Sequence, residues 1–309
     1  MPVTLEEVFR ETLRLRPAPG PAPRLEGTLT FLPELQSGYP GTAHGGAVTA
    51  AIAEAGARLL GPAGIAPPEA GALTTSAALR KPLPLGTAVP VAVALEAREP
   101  SWRVAVRLGP PEGPLVEGEL RPGEPIRLPP GADLAGWGGR SRPAHPVPGL
   151  EWCLACGSRN PLGLQLRFDH DATFVWKLYE PRAPYQGEDG RLFRGFPHIA
   201  LDEIGWWLGA LRAQEVGVST RLEITVQGRA ANGTRVLLWG KRQAVVPADR
   251  KGRSWLAPAY LVTEAGEPLA AGLVTFAASR AYAPALIPPL AAGSAPEAIR
   301  RVFPQYAPS

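Results

Sequence analysis

The segment Arg80-Lys81-Pro82-Leu83-Pro84-Leu85-Gly86-Thr87, which leads into the alternating Val89, Val91 and Val93, recurs as Gly228-Arg229-Ala230-Ala231-Asn232-Gly233-Thr234 before Val236-Leu237-Leu238. The two Gly-Thr pairs lie 147 residues apart, and Glu54 and Glu203, each inside an apolar run, lie 149 apart. A nearly constant offset of that size in 309 residues divides the chain into two similar units. The fold must therefore be one that a unit of this length completes and that can be built beside a second copy of itself.

Each unit reads as strand, helix and several further strands. Thr4 with Glu7 three residues on marks the start of an amphipathic helix over Leu5–Leu15. The first unit then carries a strand at Arg24–Leu32, a Gly-rich loop, a helix over Gly45–Leu60, and strands near Ala72–Arg80, Ala88–Glu99, Ser101–Leu108 and Pro114–Arg121. Alternation of Val91, Val93 and Leu95, and of Val104, Val106 and Leu108, gives the period of two expected of half-buried strands. The second unit predicts strands at Gly163–Asp169 and Ala172–Leu178, a helix over Ile199–Glu215, and strands near Thr220–Gln227, Thr234–Val246, Ser254–Glu264 and Pro268–Ala278. Pro and Gly concentrate between Pro122 and Gly149, which reads as a linker. The expected division is residues 1–121, a linker 122–149, a second domain 150–280, and a tail 281–309 with no assigned role.

Hydrophobic residues at 45% supply two cores, and the net charge of only +4, with cations scattered, argues against nucleic acid as a partner. No run approaches the ~18 apolar residues of a membrane span, and an acidic helix opens the chain where a leader would be apolar, so a cytoplasmic protein without a membrane partner is expected. Cys153 and Cys156 form a single Cys-x-x-Cys. With no second pair they make at most half of a zinc site, so they read as structural and no metal is expected.

Two motifs carry chemistry. Tyr39-Pro40-Gly41-Thr42-Ala43-His44-Gly45-Gly46 runs straight into the apolar Ala47-Val48-Thr49-Ala50-Ala51-Ile52. Such a loop at the mouth of a helix turns unpaired N–H groups toward whatever an acyl oxygen would occupy. The second motif, Leu201-Asp202-Glu203-Ile204, is an acidic pair inside an apolar helix. Together they resemble the PaaI-like hotdog-fold acyl-CoA thioesterases, in which His-Gly-Gly is followed, nine residues after the His, by an acid, often within Leu-Asp-Glu. In the first unit that acid position is Ala53; in the second, the position nine before Asp202 begins Phe193-Arg194-Gly195. Each unit lacks what the other keeps, while the loop length is conserved: Gln36 to Glu54 spans 18 residues and Gln186 to Glu203 spans 17. The run from Cys156 to Leu164 also resembles the segment preceding the first strand in that family.

The resemblance implies an α+β protein of two hotdog domains in tandem, each a central helix wrapped by an antiparallel sheet. It forms an intramolecular pseudo-dimer that could pair again as a homodimer. It implies one composite site hydrolysing an acyl-CoA thioester. Gly45, beside Gly46, offers its N–H to the carbonyl, and Asp202 acts as nucleophile or general base. His44 shapes the turn and Glu203 supports the site. Arg80, Lys81 and Arg229 are candidates for the phosphates of coenzyme A, which enters as part of the substrate; no cofactor is expected. The alternative is a non-catalytic hotdog protein that binds acyl-CoA or a fatty acyl group. A hydratase of the same fold is disfavoured because no Asp-x-Asn-Pro-x-His segment is present.

Overall fold

A computed structural model of the chain describes residues 3–66, 71–98, 101–129 and 144–307. The first unit comprises α1 (Leu5–Thr12), β1 (Leu13–Pro17), β2 (Arg24–Thr30), α2 (Gly45–Leu60), β3 (Ala72–Leu79), β4 (Ala88–Ala97), β5 (Arg103–Leu108) and β6 (Val116–Gly123). The second comprises β7 (His145–Pro146), β8 (Asp169–His170), β9 (Phe174–Tyr179), α3 (Phe196–Ala213), β10 (Gly217–Val226), β11 (Val236–Lys241), β12 (Val246–Pro247), β13 (Ser254–Thr263) and β14 (Pro268–Ala278). The helices α4 (Ala283–Ala292) and α5 (Pro296–Val302) follow.

The strand order is β2-β4-β5-β6-β3 in the first unit and β9-β11-β13-β14-β10 in the second, the same arrangement once elements are matched along the chain. β3 and β10 pair antiparallel, with Leu73 opposite Val226 and Ala78 opposite Arg221, so both sheets merge into one. On β4, Val89, Val91, Val93 and Leu95 point inward, as do Val104, Val106 and Leu108 on β5. Each such side chain contributes about 1.5–3 kcal/mol through burial. α3 is buried from Phe196 to Leu211 apart from Trp206, as a helix enclosed by its sheet must be. Each unit is thus a central helix wrapped by an antiparallel sheet, the α+β hotdog architecture.

The two central helices touch where side chains vanish. A Cβ on Gly46 would lie 2.5 Å from the Cα of Ile199, and one on Gly195 would lie 2.9 Å from the Cβ of Ala50. This contact brings the N-terminus of α2 beside the first turn of α3, and it sets the position of the site.

Five sequence expectations change. The helix expected over Leu5–Leu15 stops at Thr12, because Leu13–Pro17 pairs with β2 as β1; the Thr4–Glu7 capping box is formed. The strand expected at Gly163–Asp169 is irregular up to Phe168. Its alternating Leu164, Leu166 and Phe168 are buried, but their backbones bond to loop partners: Leu164 N–H donates to Leu154 O (2.8 Å), Leu166 N–H to Ala155 O (2.9 Å), and Phe168 O accepts from Val147 N–H (3.0 Å). The second helix begins at Phe196, three residues early, and ends at Ala213. β6 continues to Gly123, which pairs with Ala72, and so enters the expected linker, whose residues 130–143 lie outside the described residues. The expected tail forms α4 and α5, which bury Leu286, Leu290, Ile299 and Val302. Among the described residues, no helix is long and apolar enough to cross a membrane.

Candidate active site

The His-Gly-Gly turn is held by its own backbone. A 3-10 turn over Pro33–Leu35 leads to Gln36, which bridges to Ala43, and His44 N–H donates to Leu35 O at 2.9 Å. His44 caps α2, and its Nδ1 lies 3.1 Å from the N–H of Gly46. The second unit repeats this frame. A 3-10 turn over Ala183–Tyr185 leads to Gln186, which bridges to Leu192, and Phe193 N–H donates to Tyr185 O at 2.8 Å. Phe193 therefore stands where His44 stands in the first unit. Its ring is buried and stacks on Phe9 with centroids 5.7 Å apart, which packs that second position with aromatic carbon.

Asp202, on the buried middle of α3, meets the intact turn. Its Oδ2 accepts from Gly46 N–H at 2.6 Å and lies 3.3 Å from His44 Nδ1; its Oδ1 accepts from Ser219 Oγ at 2.6 Å. A Cβ on Gly45 would sit 2.8 Å from the same Oδ2, so only glycine leaves room for the carboxylate and an acyl group together. Burial pushes the Asp202 carboxyl above its usual range, while His44 and the Ser219 and Gly46 hydrogen bonds pull the other way. A carboxyl so placed is a better proton acceptor than one in water. Burial works against the His44 imidazolium, but Cys153, Glu203 and Asp202 outweigh it and hold its pKa well above the usual value.

Glu203 points one residue away. Its Oε1 accepts from Trp207 Nε1 at 2.9 Å and its Oε2 lies 3.4 Å from His44 Nε2. The pairing of these acids with Arg212 that an apolar helix invites is not made, because the Arg212 guanidinium lies 4.4 Å from the centre of the Trp255 ring. Glu54, the counterpart of Glu203, pairs with Arg58 at 3.1 Å on α2.

His44, Gly45, Asp202 and Glu203 line a cavity of about 320 Å³ that Leu79, Val116, Leu286 and Leu290 make largely apolar. Trp206 and Trp207 line it too; Trp206 Nε1 donates to Gly217 O at 2.9 Å, and Trp207 is the more deeply buried of the two. Of the three cations proposed for coenzyme A phosphates, Arg80 and Lys81 reach the cavity, with Arg80 also paired to Glu117. Arg229 does not. Its guanidinium is spent on Asp189 (2.5 Å) and on the carbonyl of Leu192 (2.7 Å), which staples the loop before α3. Sequence reasoning missed Ser219, the α4 wall and the approach of Cys153 and Cys156 to the site. A lone serine on a strand and an apolar tail carry no motif; the two cysteines did, but their partners lie far away in sequence.

By sequence, the chain matches no described family and no curated protein. By structure it resembles the TesB protein of Mycobacterium avium subs paratuberculosis, with a TM-score of 0.55 and 14% identity over 88% of this chain and 98% of that one. A candidate thioesterase from Novosphingobium aromaticivorans matches with a TM-score of 0.51 and 16% identity over 86% and 98% of the two chains. The dehydratase domain of PpsC from Mycobacterium tuberculosis, determined with C12:1-CoA, matches with 0.53 and 15% over 86% and 97%. At such identities the likeness carries the fold alone, and that fold is the hotdog.

Proposed function

We propose that the chain is a PaaI-like acyl-CoA thioesterase with one composite site, supplied by α2 of the first unit and α3 of the second. The observation that carries this reading is the contact of Asp202 Oδ2 with the Gly45–Gly46 entry of α2 inside one apolar cavity. The thioester carbonyl oxygen accepts from Gly45 N–H, where the helix dipole also favours developing negative charge. Asp202 removes a proton from water as the water oxygen attacks the carbonyl carbon. Collapse of the tetrahedral intermediate breaks the C–S bond, and the departing thiolate takes that proton back from Asp202. The products are a carboxylic acid and coenzyme A.

One observation favours a second reading. The His44 ring and the Asp202 carboxyl lie 3.3 Å apart and line the same cavity, a pair of proton-transfer groups that would also suit dehydration of a hydroxyacyl thioester. The test is a panel of acyl-CoA and 3-hydroxyacyl-CoA substrates, followed by free thiol and by enoyl absorbance. Thiol release supports hydrolysis; enoyl formation without thiol release overturns it in favour of dehydration; tight binding with neither leaves a binding protein.

The cation assignment makes a separate prediction. Lys81→Glu should weaken binding of a CoA ester at low salt, with the difference shrinking as salt screens it. Arg229→Glu should leave that binding unchanged and instead lower the denaturant midpoint by breaking the Asp189 staple. Equal affinities for Lys81→Glu and the unmodified chain would remove Lys81 from the phosphate site.

A further inference from the structure

The Cys-x-x-Cys motif supplies at most half of a metal site, and the fold brings up the other half. His44, Cys153 and Glu203 are all buried, and their ligand atoms lie within 4.8 Å of one another. Cys156 lies against both Cys153 and Glu203. We propose that His44 Nε2, Cys153 Sγ and Glu203 Oε2, with Cys156 Sγ as the fourth donor, form a zinc(II) site. The ion ties together the turn before α2, the segment between the two units, and α3.

Geometry supports this first. The 3.4 Å between His44 Nε2 and Glu203 Oε2 is long for a charge-assisted hydrogen bond. It is close to the separation of about 3.3 Å that two ligands at about 2.0–2.1 Å make on a tetrahedral zinc. The outer groups are also in place. Trp207 Nε1 donates to Glu203 Oε1, which leaves Oε2 toward the site. His44 Nδ1 faces Asp202 Oδ2 at 3.3 Å, the carboxylate–histidine relation that orients a metal-bound imidazole. In that tautomer Nδ1 carries the proton, and the Gly46 N–H donates to Asp202 alone, its shorter partner at 2.6 Å against 3.1 Å.

Charge supports it second. Two buried carboxylates and two buried thiols face one imidazole, and among the described residues His44 is the only cation paired with either acid. Burying uncompensated negative charge is costly, and a divalent ion removes that cost. The thiolate, not the thiol, ligates metal, so zinc binding would release the thiol protons of the two cysteines. A mixed nitrogen, sulfur and oxygen set suits zinc, whereas calcium and magnesium take oxygen. The proposal does not depend on the hydrolysis reading, because it concerns Nε2 and Glu203 and not the thioester.

The test uses reduced, tag-free, full-length protein stripped with a chelator and titrated with cobalt(II), then zinc(II). One equivalent of cobalt(II) should bind with tetrahedral visible bands and a thiolate-to-metal charge-transfer band, and zinc(II) should displace it and raise the thermal midpoint. Cys153→Ser should abolish the charge-transfer shape, and Trp207→Phe, which removes only the outer hydrogen bond, should weaken binding on the order of tenfold. If Cys153→Ser fails to fold, the cobalt spectrum of the unaltered chain decides alone. Absence of the charge-transfer band overturns the site. So does uptake unchanged in a folded Cys153→Ser chain, which would place the ion elsewhere, as does a Cys153–Cys156 disulfide that binds no metal once reduced.

Discussion

Asp202→Asn should lower thioester turnover by on the order of 10² or more, the usual cost of losing a general base or nucleophile, while leaving binding of the acyl-CoA in place. The asparagine oxygen can take the place of Oδ2 and accept from Gly46 N–H, while its NH2 at the place of Oδ1 donates to Ser219 Oγ, whose hydroxyl can turn to accept; what the side chain loses is proton affinity. Glu54→Gln is the matched control. Glu54 sits one residue, about 100° round a helix, from Ala53, which occupies the acid position, and its carboxylate pairs with Arg58. The turn that Ala53 would serve carries Phe193 in place of His44. Glu54→Gln should therefore leave the rate unchanged and shift stability by a few tenths of a kcal/mol at most. Equal effects of the two substitutions on rate would exclude a single composite site.

Gly46→Ala should destabilise the whole chain by about 1–3 kcal/mol or more, the usual cost of forcing a methyl into a packed contact. The added carbon would meet backbone on α3, 2.5 Å from Ile199 Cα and 2.6 Å from His198 O, and backbone cannot rotate aside. The two units must then separate locally, and Asp202 moves with α3 away from Gly46. Gly61→Ala, at the other end of α2, is the comparison, since a Cβ there meets nothing within 4 Å; it should be neutral or slightly stabilising through the unfolded chain. Urea midpoints of the two variants check this, and similar midpoints would show that the helix crossing does not limit stability.

Much of this was legible in the sequence because the information is periodic or local. The offset repeat gave the two units, the alternation of valines located β4 and β5, and the Gly-Gly entry marked the start of α2. The motif counting that aligned His44 with Phe193 reappears in the shared backbone bonds to Leu35 and Tyr185. The failures share a cause. Leu164, Leu166 and Phe168 alternate because they plug a core, and burial pattern alone does not say whether the backbone between them finds a strand or a loop as partner. Arg229 repeats the place of the Arg80–Lys81 turn in sequence, but Asp189, 40 residues upstream, claims it. Cys153 and Cys156 stand alone in the sequence between the units, whereas His44 and Glu203 come from the two flanking units. Pairings across such distances are made by the helix crossing, which no local window contains.

In the proposed reaction Gly45 and Asp202 act on one thioester group across the two units. The most direct measurement is the crystal structure of the Asp202→Asn chain with an intact acyl-CoA bound. The acyl carbonyl oxygen should accept from Gly45 N–H at about 2.9 Å, with its carbon facing residue 202 and the acyl chain running between Leu79, Val116 and the α4 leucines. A carbonyl beyond reach of the Gly45 nitrogen, or turned toward the Phe193–Arg194 turn, would contradict it.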